Sequence, residues 1–305
     1  MRSWPVVEVP PARFAEIEPE VAAIEEQART ADGHPSLNEA VWRDLEHPAP
    51  DSHGLLVERH AYAHVARSDN FAPEHWTLGT TLAPDARGDG LRGALAARAA
   101  EYVSTQGGGR LALWLLGADD GDDAELALAG FQPARGLLEM RVSLPLSQAA
   151  VWPPGITVRP FEPSRDEDAW LAVNNRAFEN HAEQGGWIRS TLARRMAEPW
   201  FDPSLFLLAF DSEGLAGFNW LKIHDAHGRD PRLGEIFVIG VDPRMQGLGL
   251  GRALAVAGLQ LVSERGITTG SLFVAADNAG ALRLYQTLGF TTHRVDRAYE
   301  REVAL

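Results

Sequence analysis

Apolar, β-branched residues crowd positions 236–241, Ile-Phe-Val-Ile-Gly-Val. A run of that length and branching predicts a buried strand. Asp242-Pro243 ends it, because the residue before a proline and the proline itself both disfavour continued pairing. From Arg252 the period changes: Leu254, Ala257 and Leu261 fall on one helical face. Between the two patterns stands Gln246-Gly247-Leu248-Gly249-Leu250-Gly251-Arg252. A strand therefore runs into a glycine-rich turn that opens a helix.

The same reading carries along the chain. It predicts helices over 13–29 and 36–46, the second with Ser36 as N-cap and Glu39 completing a capping box. Strands follow at 54–60, 61–67 and 76–82, then a helix over 91–105, a strand at 110–116, a short helix over 125–129 and a strand at 137–144. The prolines of 144–155 mark a linker. Beyond it come a strand at 156–161, a helix over 166–178, an irregular loop at 181–187 and a helix over 188–197. Strands at 205–210 and 215–224 flank the turn Asp211-Ser-Glu-Gly214. After the central strand and helix the pattern predicts a strand at 271–275, a helix over 279–288 with Gly289 just past its end, and a C-terminal hairpin.

An internal repeat organises these elements. Pro84, Arg87, Gly90 and Leu95 stand 159 positions before Pro243, Gln246, Gly249 and Leu254, and Gly130-Phe131 stands 159 before Gly289-Phe290. Two separated motifs that share one gap-free offset imply tandem copies of one α/β fold. The expected domains are 1–146 and 156–305, joined by 147–155. The copies are unequal: Arg92 stands at the place of Gly251, Leu126 at that of Tyr285, and Asp119 at that of Asn278 inside an acidic run. Catalysis is expected in the second copy. For the first, two readings stay open, a cofactor site built on Arg87 and backbone amides, or a scaffold.

Composition narrows the classes. In 305 residues, 45% of them hydrophobic, two cores can be built. A net charge of −14 argues against a nucleic-acid surface and an anionic membrane. No stretch of about 18 apolar residues predicts a membrane span. The absence of cysteine removes disulfides and a thiol nucleophile, and the N-terminus carries no secretory pattern. A cytoplasmic monomer acting on a small cationic or neutral molecule is the expectation. The ten histidines show no dense metal-ligand spacing, and His224 with His227 is a poor candidate, so no metal is expected.

The glycine turn suggests chemistry. Glycines allow close approach and positive φ, so several N–H groups converge where the helix dipole places roughly half a positive charge. A pyrophosphate suits that spot, although many such turns are purely structural. No Gly-Lys-Ser/Thr ending marks a nucleoside-triphosphate loop.

Val-Asp-Pro-x-x-Gln246-Gly-x-Gly249-x-Gly251, followed by Asn278-Ala279-Gly280-Ala281-Leu282-Arg283-Leu-Tyr285 and Gly289-Phe290, resembles the paired acetyl-CoA motifs of the GNAT N-acetyltransferases. The resemblance implies two tandem GNAT-like domains, each a mixed, mostly antiparallel sheet flanked by helices. It implies acetyl-CoA as co-substrate, with Ile239, Gly240 and Val241 along the pantetheine, Gln246 to Arg252 on the pyrophosphate, and Asn278 to Arg283 near the cofactor. Glu235 is the candidate base, since burial raises a carboxyl toward a useful range. Tyr285 is the candidate acid for the leaving thiolate. A strand-end glutamate, a packing tyrosine and an N-capping Asn278 are the ordinary alternatives.

The tandem copies, Asn174-Asn175-Arg-Ala-Phe178, Glu183-Gln-Gly-Gly-Trp187 and 234–243 together resemble the mycothiol synthase family over nearly the whole length. This implies acetylation of the cysteine amine of cysteinyl-glucosaminyl-inositol, with Glu39, Glu183, Lys222, Glu235 and Phe273 where acceptor contacts fall. Phe273 departs from the tyrosine expected there. Thr80, Thr81, Leu82 and Gly88, Asp89, Gly90, Leu91, Arg92, Gly93 are the matching first-copy cofactor positions. Another amine acceptor, or an acyl-CoA-binding module without turnover, are the other two readings.

Overall fold

The computed structural model describes residues 4–67, 75–179, 184–226 and 230–305. In chain order the strands are β1 (Val7–Val9), β2 (His53–Val57), β3 (Ala61–Arg67), β4 (His75–Leu82), β5 (Gly109–Leu115), β6 (Gln132–Ser143), β7 (Thr157–Pro160), β8 (Phe206–Asp211), β9 (Gly214–His224), β10 (Leu233–Val241), β11 (Thr269–Ala275) and β12 (Thr291–Val303). The helices are α1 (Phe14–Asp32), α2 (Glu39–Glu46), α3 (Leu91–Thr105), α4 (Asp120–Leu128), α5 (Glu167–Ala177), α6 (Arg189–Met196), α7 (Leu250–Glu264) and α8 (Ala279–Thr287).

Two compact units result. The first comprises Met1–Leu138 with Ala275–Asp277 and Arg294–Leu305, the second Glu139–Val274 with Asn278–His293. In the first, the strand order is β1-β2-β3-β4-β5-β12. All neighbours are antiparallel except β4 and β5. Side chains alternate between two cores, as a period of two requires. Leu55, Val57, Ala61, Ala63 and Val65 meet Leu91, Leu95, Ala96, Ala99 and Val103 of α3. Leu56 and Tyr62 point the other way, to Phe14, Ile17, Val21 and Ile24 of α1.

The second unit repeats the plan, in the order β6-β11-β10-β9-β8-β7, with β10 and β11 the parallel pair. One face carries an aromatic core: Trp170 of α5 lies edge-on to Phe206, Phe218 and Trp220, with centroids 5.3–5.8 Å apart. On the other face Leu250 and Leu254 of α7 pack on Ala209 and Ala216. α3 and α7 have 15 residues each and α4 and α8 nine each, and both pairs are 159 positions apart at both ends.

Three details differ from expectation. The N-cap of α2 is Asn38, whose side chain accepts from the Val41 amide at 3.1 Å; Ser36 instead gives its backbone N–H to Glu25, at 2.6 Å. The helix predicted over 125–129 starts earlier, inside the acidic run: Asp119 and Asp122 form a capping box, so carboxylates start α4 where its positive end favours them. The C-terminus is one strand, not a hairpin. Arg297–Val303 of β12 pairs with Gly109–Leu115 of β5, so the last strand of the second copy completes the first unit.

Tyr299 anchors that strand. It is 1% exposed, and its hydroxyl donates to Asp123 Oδ1 at 2.5 Å. Tyr299→Ala is expected to destabilise the first unit by about 3–5 kcal/mol, as other large-to-small core changes do. An unchanged urea midpoint would remove β12 from the core of that unit.

Candidate functional site

The site starts where one ladder gives out. β10 and β11 pair in parallel from Leu233↔Thr269 to Ile236↔Leu272, and no further. A bulge between Ile236 and Val238 shifts the register of β10 against β9, bending the strand and increasing its twist. β4 runs against β3 without such a break. Past Ile236 no described strand pairs with the β11-facing edge of β10, an edge that suits an amide-bearing chain. Gly240 belongs here for space: a Cβ would come within 2.7 Å of the Phe218 ring.

β10 delivers the chain into the turn. Buried Asp242 caps the short 3-10 turn Pro243–Met245 and receives Arg176 of α5, its Nη2 at 2.5 Å. Gly247 and Gly249 have φ of 77° and 84°, a region that side chains with a Cβ avoid. Gln246, Gly247, Leu248 and Gly249 are exposed, and Leu250 seats the start of α7 in the core. The guanidinium of Arg252 is turned aside, to Thr287 Oγ1 at 2.7 Å and to Gln148. What the turn presents is backbone N–H groups and the positive end of α7, a fit for a phosphate group.

The first unit has the same turn with a different filling. Gly88 and Gly90 have φ of 76° and 82°. The carboxylate of Glu125 accepts from the Gly90 amide at 3.1 Å and the Gly93 amide at 3.3 Å. Arg92 is buried, donating to Asp122 at 2.7 Å and to Thr80 Oγ1 at 2.8 Å. Thr81 and Leu82 are buried too. An internal anion thus already sits at the helix start. Leu284 stands at the place of Glu125 in the second copy, and no described side chain bonds the turn amides there. A cavity of 660 Å³ opens between α2 and the ends of β4 and β5. His64 and Asp44 line it, and with the buried Tyr62 hydroxyl behind them they form a chain with links of 2.8 and 2.7 Å. Burial pushes the Asp44 carboxyl up, but the bonds from His64 and the Ala49 amide outweigh it and hold it below the ordinary value.

Glu235 lies on β10 with 7% exposure, its backbone between Lys222 of β9 and Ser271 of β11. Its Oε2 is 2.5 Å from Nε2 of His224. Sequence reasoning set His224 aside as a metal ligand and missed this contact. The signal was there, since residues 222 and 224 share a strand face and 222 lies opposite 235. Lys222 holds its ammonium 4.8 Å over the Trp200 ring, a cation–π contact. Phe273 is 42% exposed on β11. Asn278 caps α8 through the Ala281 amide at 3.1 Å; Ala279, Gly280, Ala281, Leu282 and Arg283 form the exposed or half-exposed first turns of that helix. Tyr285 is buried on α8 against Phe290, and burial pushes its phenol up to about 12. Glu39 is exposed at the start of α2. Glu183 and His227 lie outside the described residues. Among those described, no cluster of metal-ligating side chains forms.

The second unit therefore combines an anion-binding turn, a strand edge open to an amide-bearing chain, a buried carboxylate and a neutral phenol. The Acetyltransferase (GNAT) family matches residues 169–290. Mycothiol acetyltransferase of Thermobispora bispora is 41% identical over 290 residues, 92% of this chain and 95% of its own length. The mycothiol acetyltransferases of Arthrobacter sp. and Streptomyces griseus subsp. griseus are 35% and 40% identical, over 97% and 94% of this chain. The chain belongs to the mycothiol acetyltransferase family. Its fold matches a GCN5-related N-acetyltransferase from Sphaerobacter thermophilus at a TM-score of 0.71, with 22% identity and coverage of 99% and 98% of the two chains. A tandem GNAT protein of the clavulanic acid pathway matches at 0.66, with 16% identity and 99% of each chain covered. Two GNAT-like domains in tandem are the architecture. No described helix is long and apolar enough to cross a membrane.

Burial raises all four tyrosines, Tyr62, Tyr102, Tyr285 and Tyr299. A raised phenol leaves stability undiminished below the unfolded value of about 10, and stability falls as pH climbs through the folded values. Absorbance at 295 nm should show little tyrosinate in the folded protein at pH about 10, against half-ionisation when unfolded. Normal titration of the folded protein would contradict the burial of Tyr285.

Proposed function

We propose that this protein transfers the acetyl group of acetyl-CoA to the cysteine amine of cysteinyl-glucosaminyl-inositol, the last step of mycothiol formation, in its second unit. The carrying observation is the buried carboxylate of Glu235 at the point where β10 leaves β11, with an unfilled amide turn at the far end of the same strand. The turn 246–252 takes the pyrophosphate. The freed edge of Ile239, Gly240 and Val241 takes the pantetheine.

In the reaction Glu235 accepts a proton from the acceptor ammonium. The free amine attacks the thioester carbonyl, a backbone N–H of the strand stabilises the oxyanion, and the C–S bond breaks as the tetrahedral intermediate collapses. Tyr285, a phenol and therefore neutral at physiological pH, gives its proton to the leaving thiolate. No protein thiol is required, consistent with a chain that has no cysteine. Lys222 supplies a donor for hydroxyls of the acceptor, and the Phe273 ring an apolar surface.

The first unit is proposed to be non-catalytic. Trp76 and Leu126 occupy the places of Glu235 and Tyr285, and Glu125 covers its turn amides.

Thiol release from acetyl-CoA with cysteinyl-glucosaminyl-inositol, against a panel of aminoglycosides and peptide N-termini, tests the acceptor. Saturable release with the first alone is expected. Release only with another amine would overturn the acceptor, and binding without release would overturn the enzyme reading. Glu235→Gln should lower kcat on the order of 10²–10⁴-fold with acetyl-CoA affinity retained; unchanged turnover would exclude Glu235 as the base.

A further inference from the structure

A buried base must pass on the proton it takes, or each turnover leaves it neutral. Glu235 has a side chain only 10% exposed, whereas that of His224 is 37% exposed. The 2.5 Å contact between Glu235 Oε2 and His224 Nε2 therefore joins an enclosed carboxylate to a ring that reaches water. His224 is the last residue of β9, opposite Leu233, so its side chain stands diagonally beside Glu235 on one sheet face. Lys222, the direct cross-strand neighbour, faces Trp200 and carries an ammonium that only donates. Of the groups on this face, the imidazole can both take a proton on one nitrogen and release one from the other.

We propose that His224 is the proton relay of Glu235, a positioning residue that acts through the carboxylate. At rest the ring donates its Nε2–H to the carboxylate. Once Glu235 holds the ammonium proton, the ring exchanges with solvent to its Nδ1–H tautomer, accepts the carboxyl proton at Nε2 and releases the Nδ1 proton to solvent, which restores the carboxylate. The inference rests on the reading of Glu235 as the base.

Three variants separate these roles. Glutamine keeps a hydrogen-bonding group beside the carboxylate but cannot relay a proton, whereas alanine leaves a gap that free imidazole fills. His224→Gln and His224→Ala should both lose kcat on the order of 10–10²-fold, with KM for acetyl-CoA and acceptor unchanged. Added imidazole should restore His224→Ala in proportion to its concentration. Wild-type kcat in His224→Gln, or no response of His224→Ala to imidazole, would overturn the relay. Glu235→Gln assayed alongside distinguishes the two failures. If it is slow while His224→Gln is fast, only the relay falls; if it is fast, the base and the relay fall together.

Discussion

The parallel ladder between β10 and β11 stops after Ile236 and Leu272, and the site depends on that stop. While the strands pair, their backbone groups serve each other. Once they part, the groups of Ile239 to Val241 need another partner, because unpaired polar backbone in a protein interior is costly. Among the described residues of the second unit, no side chain bonds the backbone groups of the turn. The bulge at Ile236/Val238 bends β10 at the same point. Glu235 sits one residue before the parting, and this is why its carboxylate is both buried and next to an opening.

The two copies show how little must change to silence such a site. α3 and α7 have equal length, and both turns use two glycines with positive φ. The first unit pairs β4 and β5 over a similar short stretch, from His75↔Arg110 to Leu78↔Leu113. It lacks the bulge, and it places the Glu125 carboxylate on the Gly90 and Gly93 amides. A carboxylate on a helix start contributes stability through hydrogen bonds and the dipole. The same amides then serve the fold instead of a ligand. Gly93 allows the close packing this needs, since a Cβ there would meet the Glu125 carbonyl at 2.6 Å.

Much of this was legible in the sequence because its signals are local or periodic. The strand, glycine turn and helix at 233–264 follow from branching, Asp-Pro and helical spacing. The offset of 159 aligned α3 with α7 and α4 with α8 before any contact was known. The remainder depends on partners far apart in the chain. No local pattern says that Arg297–Val303 pairs with Gly109–Leu115. Asn38 is the cap because α2 starts at Glu39, and the Ser36 amide goes to Glu25, eleven residues before it. The helix predicted over 125–129 excludes the acidic run, yet the charges of that run favour the start of α4. His224 became visible only once β9 and β10 were in register.

The central claim is that the open turn of the second unit is the one that works. Gly251 has ordinary backbone angles and room for a side chain, with the Val241 methyl at 3.5 Å. Gly251→Glu therefore places a like charge at the phosphate position without straining the chain. kcat/KM for acetyl-CoA, compared between Gly251→Glu and Glu125→Ala, tests the claim directly. The account predicts a loss on the order of 10²-fold or more in the first, since like charges at close range cost several kcal/mol, and a change within about twofold in the second. Full activity in Gly251→Glu together with a large change in Glu125→Ala would contradict it.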